Sequence, residues 1–193
     1  MKNIRDYSLE ELENELVELG EKKFRAKQIF AWLFRNVESF DEMTDLSKEL
    51  IQKLKDNYIL DCITLDDFQK SKDGTIKYLF KLNDEHRIES VLMKYKYGYT
   101  ACVSNQIGCK MGCNFCASAK IGFVRSLTPG EIISQILKME KYSEEKISNV
   151  VFMGIGEPFD NYDNVMHAIR IINNQKGLKG YNIQKKIDGN KWI

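Results

Sequence analysis

The stretch Cys109-Lys110-Met111-Gly112-Cys113-Asn114-Phe115-Cys116 contains three of the five cysteines of this 193-residue chain. Its thiols are spaced four and three residues apart, in a short loop that follows Gly108. Cysteines crowded in this way favour metal binding over disulfides. Because a closed structural metal site usually has four protein ligands, three thiols leave one coordination position open for another molecule.

The C-x3-C-x2-C spacing, with the aromatic Phe115 before its last cysteine, resembles the cluster motif of radical S-adenosylmethionine (SAM) enzymes. In that superfamily three cysteine thiolates hold a [4Fe–4S] cluster, and SAM binds the remaining iron. The resemblance implies that Cys109, Cys113 and Cys116 are metal ligands. A zinc site and buried, inert cysteines are the alternatives that the spacing alone leaves open.

The composition is that of an ordinary soluble protein, with 43% hydrophobic and 30% charged residues. The net charge of +1 does not by itself indicate a nucleic-acid partner. No apolar run approaches the roughly 18 residues of a membrane span, and the first residues lack a basic-then-apolar leader. We therefore expect a cytoplasmic location, where thiols stay reduced.

Residues 1–60 are predicted to form a small helical module. Ser8 and Glu11 have the spacing of a capping box that begins a first helix, and Gly20 ends it. Apolar residues at helical spacing predict further helices at about 24–35 and 47–57. Basic residues at 22, 23, 25 and 27 fit both phosphate contact and a solvated helix face, and we favour the solvated face.

Residues 61–100 are predicted to form an antiparallel β connector. Alternating apolar residues at 76–82, between turns at 72–74 and 83–84, indicate a strand, and further strands are expected at 87–95 and 99–104. The segment Lys94–Tyr99 interleaves lysines and tyrosines. Stacking of nucleic-acid bases and an ordinary hairpin packing of tyrosines both explain this pattern.

The following residues have the order strand, cysteine loop, helix, strand, glycine-rich loop, helix. Thr128-Pro129-Gly130-Glu131 begins the first of these helices, and 164–172 forms the second. The apolar run 149–153 indicates a buried parallel strand, followed directly by Gly154-Ile155-Gly156-Glu157-Pro158. This order predicts an α/β fold with two βα units of a parallel barrel, and both motifs follow strands, where such folds carry their chemistry.

Several stretches resemble one family, the RlmN/Cfr-type radical SAM RNA methyltransferases, and its RlmN branch most closely. The matching stretches are Phe24–Ile29, Ser39–Ser47, Arg87–Val91, Cys102–Cys109, Gly122–Phe123, Leu127–Ile132 and Met153–Pro158. The resemblance extends over about residues 4–187. One departure is Phe159-Asp160-Asn161, where the family usually has two apolar residues before the asparagine.

The resemblance implies methylation of carbon 2 of an adenosine in 23S rRNA, and in some members of tRNA. In the family this uses a [4Fe–4S] cluster, SAM, a methylated cysteine and an electron donor such as flavodoxin or ferredoxin. By resemblance, Gly154, Gly156 and Glu157 contact SAM in this chain. Cys102 corresponds to the resolving cysteine and Glu89 to the proton acceptor.

The family resemblance also implies a longer protein. Its fold is a partial (β/α)6 barrel of about six βα units, of which this sequence supplies two, and its methyl-carrying cysteine lies near a C-terminus that has no counterpart here. We therefore expect an accessory module (1–60), a β connector (61–100), a partial radical SAM core (101–187) and a divergent tail (188–193). We expect that this C-terminally truncated chain does not complete the reaction alone.

Two alternatives remain. A zinc-stabilised RNA-binding module would use Cys102 together with the three cysteines of 109–116, although their spacing is unusual for zinc. A different radical SAM enzyme would share the cluster but would need neither Cys102 nor Glu89. Cys62 matches no functional position, and we expect it to be a small buried residue.

Overall fold

A computed structural model describes residues 1–35, 37–174, 186–187 and 190–191. Its helices are α1 Leu9–Glu18, α2 Phe24–Leu33, α3 Lys48–Asn57, α4 Pro129–Ser143 and α5 Tyr162–Ile172. Its strands are β1 Lys2–Asn3, β2 Tyr58–Ile59, β3 Ile63–Lys70, β4 Ile76–Leu82, β5 Arg87–Tyr95, β6 Gly98–Cys102, β7 Gln106–Gly108, β8 Phe123–Ser126, β9 Ile147–Val151, β10 Lys186–Ile187 and β11 Asn190–Lys191. The expected α/β fold class is confirmed.

Helices α1 to α3 lie where three helices were predicted, in residues 1–60. The capping box at the start of α1 is present: the Ser8 hydroxyl accepts from the Glu11 N–H at 3.3 Å, and the Glu11 carboxylate accepts from the Ser8 N–H at 2.7 Å. Helix α2 ends at Leu33, two residues earlier than predicted. A short parallel ladder between β1 and β2 joins the first and last residues of the module, which the sequence pattern did not predict.

One five-stranded sheet has the order β3-β4-β5-β6-β9. Strands β4 to β6 are the predicted antiparallel meander, β3 extends it at one edge, and β9 pairs with β6 in parallel. The meander and the following βα units therefore share one sheet, and the expected boundary between residues 100 and 101 lies inside β6. Helix α4 covers one face of this sheet, where the buried Ser90 hydroxyl donates to Gln135 Oε1 at 2.7 Å.

The βα order follows the prediction, with four local differences. Strand β9 lies two residues earlier than the predicted 149–153, and β6 covers 98–102 rather than 99–104. Strand β3 and the antiparallel β7–β8 hairpin were not predicted as strands. The expected tail, 188–193, lies outside the described residues except for Asn190–Lys191. In the described part of the chain, every helix is too short or too polar to cross a membrane.

The helical module is attached to the sheet unit through the start of α4. Asp6 accepts from the Gly130 N–H at 2.7 Å, so a residue of the module caps a helix of the other unit. His167 Nε2 on α5 lies 2.9 Å from the Asp6 carbonyl oxygen and 3.0 Å from Glu11 Oε2. The largely buried Lys138 on α4 pairs with Glu38 of the module at 3.3 Å and with Asp61, directly after it, at 2.5 Å. These contacts hold the module beside the βα units.

The Asp6 cap leads to a prediction about stability. Asp6→Ala leaves the Gly130 N–H without its acceptor and is expected to destabilise the chain by about 1–2 kcal/mol, whereas Asp6→Asn keeps an acceptor. Burial raises the pKa of the Asp6 carboxyl, partly opposed by the hydrogen bond from Gly130. The folded state thus binds this proton more tightly than the unfolded chain, so ionisation lowers stability as pH rises through this pKa.

Asparagine does not ionise, so as the pH rises above about 4, the usual pKa of an aspartate, the parent should lose more unfolding free energy than Asp6→Asn. Urea unfolding at several pH values measures this difference. A difference that stays constant with pH would contradict the assigned effect of burial.

Candidate cluster and cofactor site

The cysteine loop follows β7 and lies within the connection between the two strands of the β7–β8 hairpin. Its base is closed by backbone contacts, because the Cys109 N–H donates to the Gly122 carbonyl at 3.1 Å. Gly108 has φ +72°, and a Cβ at this position would lie 1.5 Å from the Gly122 carbonyl oxygen. Only a glycine fits this approach.

The three thiols lie in this one loop but are not gathered around a single point. Cys113 is exposed, Cys109 and Cys116 are partly buried, and all three are outside disulfides. Among the described residues, no three Cys, His, Asp or Glu side chains are arranged as a metal site. The donor set nevertheless fits an iron–sulfur cluster, because three thiols lie on an exposed loop that includes a left-handed glycine, Gly112 at φ +63°.

The glycine-rich loop after β9 packs against the segment that leads into the cysteine loop. The Gly154 N–H donates to the Val103 carbonyl at 3.1 Å, and the Ile155 carbonyl accepts from Asn105 at 2.9 Å. A Cβ at Gly154 would lie 2.6 Å from the Val103 carbonyl oxygen, and one at Gly156 would lie 2.6 Å from Gln106 Cβ. The two motifs are therefore neighbours, as expected for loops at the carboxyl ends of adjacent parallel strands.

Glu157 and Asn105 are the polar groups beside this glycine pair. Glu157 is partly buried, and its Oε1 accepts from the Phe159 N–H at 3.0 Å. Asn105 is fully buried, yet neither polar atom of its side chain has a hydrogen-bond partner among the described residues. Its Oδ1 lies 2.9 Å from the position of a Cβ on Gly156. A buried amide without hydrogen-bond partners, next to two glycines that leave the backbone uncovered, is suited to contact a polar ligand. No sequence pattern had indicated Asn105.

Cys102 and Glu89 lie on the same face of the sheet. Leu92 and Ala101 are paired and buried towards α4, so the alternation along β5 and β6 turns Glu89 and Cys102 to the opposite face. Glu89 is half exposed, with Oε1 3.0 Å from Lys77 Nζ. The structure thus brings these two predicted residues to neighbouring strands, and no four-thiol zinc site involving Cys102 is assembled among the described residues.

The cysteines differ in reactivity according to their burial. Burial raises the pKa of Cys102, and it raises the pKa of Cys62 to about 12. In the metal-free chain at pH 8, we expect iodoacetamide to alkylate Cys113 first, Cys102 more slowly and Cys62 only after unfolding, since thiolates are the reactive form. Peptide mass spectrometry over time measures these rates. Equal rates for Cys62 and Cys113 in the folded chain would contradict this order.

Comparison with known proteins gives two family matches. The family described as "Ribosomal RNA large subunit methyltransferase N-terminal domain" matches residues 2–60. The family described as "Radical SAM superfamily" matches residues 103–189. The first match coincides with the helical module, and the second contains the cysteine loop and the glycine-rich loop.

Curated relatives include proteins named "Probable dual-specificity RNA methyltransferase RlmN" from Staphylococcus aureus strains JH9 and Newman. Each is 53% identical over 178 residues, which is 89% of this chain and 49% of the relative. This chain therefore spans about half the length of the curated relatives it matches.

Among solved structures, a radical SAM methyltransferase from Sphaerobacter thermophilus superposes with a TM-score of 0.86 at 38% identity. The match covers 92% of this chain and 54% of that chain. Sequence and fold agree along both the helical module and the sheet with its two loops. The chain therefore contains the two domains that these families describe, and over 89% of its length it is similar to proteins named RlmN.

Proposed function

We propose that this chain binds a [4Fe–4S] cluster and SAM, and that it forms the cofactor-binding part of an RNA methyltransferase. The observation that carries the proposal is the contact between the cysteine loop's hairpin and the glycine-rich loop, where the Ile155 carbonyl accepts from both Asn105 and Gln106. The loop with three thiols suits a cluster that has one open coordination position. The exposed backbone at the neighbouring glycine pair suits a small charged cofactor.

In this proposal the three thiols of Cys109, Cys113 and Cys116 hold the cluster. The backbone at Gly154 and Gly156 would hold SAM, together with the Glu157 carboxylate, which can accept a hydrogen bond from an amino group. A cluster with SAM supplies radical chemistry, which an aromatic carbon requires because it is a poor nucleophile.

Two side chains of the sheet would act on the substrate. Glu89 is proposed to accept the proton from carbon 2 of the adenine, and the Lys77 ammonium at 3.0 Å orients its carboxylate. Cys102, at the carboxyl end of β6, is proposed as the resolving thiol. Burial raises the pKa of Cys102, so a nearby base is needed to ionise it.

The proposed partners are 23S rRNA, tRNA and an electron donor such as flavodoxin or ferredoxin. The relatives' printed name, a dual-specificity RNA methyltransferase, supports an RNA substrate. One surface that fits an RNA base lies at the β5–β6 turn, where the exposed rings of Tyr95 and Tyr97 stack at 5.1 Å. This turn is at the opposite end of β6 from Cys102.

The domain organisation also remains a proposal: an accessory module at 1–60, a β connector at 61–100, a radical SAM core at 101–187 and a tail at 188–193. The continuous sheet across residues 100 and 101 supports treating the connector and the core as one folding unit.

Anaerobic reconstitution of the 193-residue chain with iron and sulfide tests the proposed function. We expect roughly four iron atoms and four sulfides per chain, a brown colour, and a change in the electron paramagnetic resonance (EPR) spectrum of the reduced chain when SAM is added. A colourless chain that retains zinc would overturn the proposal in favour of the zinc-stabilised module. A mobility shift with a 23S rRNA fragment, compared with DNA of the same sequence, tests the RNA partner separately.

A further inference from the structure

The side chain of Gln106 connects the two loops from within the fold. This residue begins β7 and is fully buried. Its Oε1 accepts from the Glu157 N–H at 3.0 Å, and its Nε2 donates to Asp160 Oδ2 at 2.8 Å and to Ser126 Oγ at 3.3 Å. One amide thus joins both strands of the hairpin to the segment that follows the glycine pair.

A second contact starts inside the cysteine loop itself. Lys110, between Cys109 and Cys113, places its Nζ 3.0 Å from Asp160 Oδ2. The same ammonium lies 4.3 Å from the centre of the Phe123 ring on β8. Lys110 therefore contacts both the hairpin and the 3₁₀ turn Pro158–Asn161 that follows the glycine-rich loop.

Asp160 occupies the position at which the chain departs from the family's usual apolar residue. Hydrogen bonds from Gln106 and Lys110 lower the pKa of its carboxyl below the usual range, so it is ionised at neutral pH. An exposed pair of this kind adds little to global stability. Its effect is local, since it ties an exposed loop to the segment that follows the glycine-rich loop.

We propose that Gln106, Lys110 and Asp160 are positioning residues, a clamp that holds the cysteine loop in a fixed relation to the glycine-rich loop. The clamp rests on the proposed function, because these loops would hold the cluster and SAM. Gln106 contacts the glycine-rich loop through the Glu157 N–H, and Lys110 and Asp160 contact each other, so the three residues act through the loops. Loosening the clamp leaves the ligand set intact but places the open coordination position less accurately for SAM.

A double-mutant cycle on the reconstituted 193-residue chain tests the clamp, with Asp160→Asn, Lys110→Gln and the double variant. We expect each single variant to keep its iron but to bind SAM about threefold to fivefold more weakly, with a smaller SAM-induced change in the EPR spectrum. The double variant should be no worse than either single variant, because both remove the same contact. Asp160→Glu should restore most of the affinity.

Asp41→Asn is the matched control, because Asp41 forms an exposed pair with Lys55 at 2.7 Å in the helical module. It should bind SAM like the parent. Parent-like SAM affinity and EPR response in Asp160→Asn, or additive losses in the double variant, would overturn the clamp while leaving the proposed function standing. Loss of iron from the single variants but not from Asp41→Asn would also overturn the clamp, which leaves the three thiols in place, whereas a parent chain that takes up no iron would overturn both proposals.

Discussion

Replacement of Cys113 by alanine is expected to remove nearly all the iron that the reconstituted chain binds. The proposed cluster has three protein ligands, and the loss of one leaves two irons without a thiolate from the chain. Cys113 is exposed, so the substitution removes a ligand without opening a cavity in the core. Iron and sulfide assays should fall from roughly four of each per chain to less than about one.

Two further variants make this result specific. Cys62→Ala removes a buried thiol whose hydrogen-bond partner is Ser134 at 3.3 Å, far in sequence from the loop, and it should keep its iron. Cys102→Ala should also keep its iron under the cluster proposal but would lose the metal from a four-thiol zinc site. Full iron content in Cys113→Ala would exclude Cys113 as a ligand.

The second large effect is expected at Gly108, where alanine should destabilise the chain by about 2–5 kcal/mol. The left-handed conformation accounts for about 1–2 kcal/mol of this. Overpacking accounts for a further 1–3 kcal/mol or so, because the new Cβ would lie 1.5 Å from the Gly122 carbonyl oxygen and the backbone cannot yield cheaply. Denaturant unfolding measures the loss, and iron uptake should fall as the hairpin opens.

Gly112 provides the matched control for this prediction. It also has a left-handed conformation, at φ +63°, but a Cβ at this position would meet nothing within 4 Å. Gly112→Ala should therefore lose only about 1–2 kcal/mol and should keep its iron. Equal losses of unfolding free energy in Gly108→Ala and Gly112→Ala would show that the close approach of Gly108 to Gly122 does not affect stability.

Local patterns predicted most of the secondary structure. The capping boxes at Ser8 and Thr128 begin α1 and α4 as expected, because a cap depends on residues only three positions apart. The alternation at 76–82 predicted β4 for the same reason. Strand β3 was not predicted. It lies at the edge of the sheet and most of its residues are exposed, so its sequence lacks the alternation of apolar and polar residues that marks a half-buried strand.

The hairpin below the cysteine loop also escaped prediction. Strand β7 has three residues and β8 has four, and the cysteine loop separates them in sequence. A pair of strands this short is stabilised by contacts with neighbouring segments, and its own residues are too few to show an alternating pattern. Here Gly108 allows close backbone approach, and the buried Gln106 supplies hydrogen bonds to the neighbouring segment.

The sequence by itself determined the types of the candidate ligands, their spacing and their positions after strands, because these depend on near neighbours along the chain. The family resemblance added the proposed roles of Glu89 and Cys102. Only the tertiary structure decided that Lys110 meets Asp160, that Asn105 is buried with an unsatisfied amide, and that both motifs share one edge of the sheet. The physical reason is the parallel pairing of β6 with β9, which brings together segments about 50 residues apart that no local pattern connects.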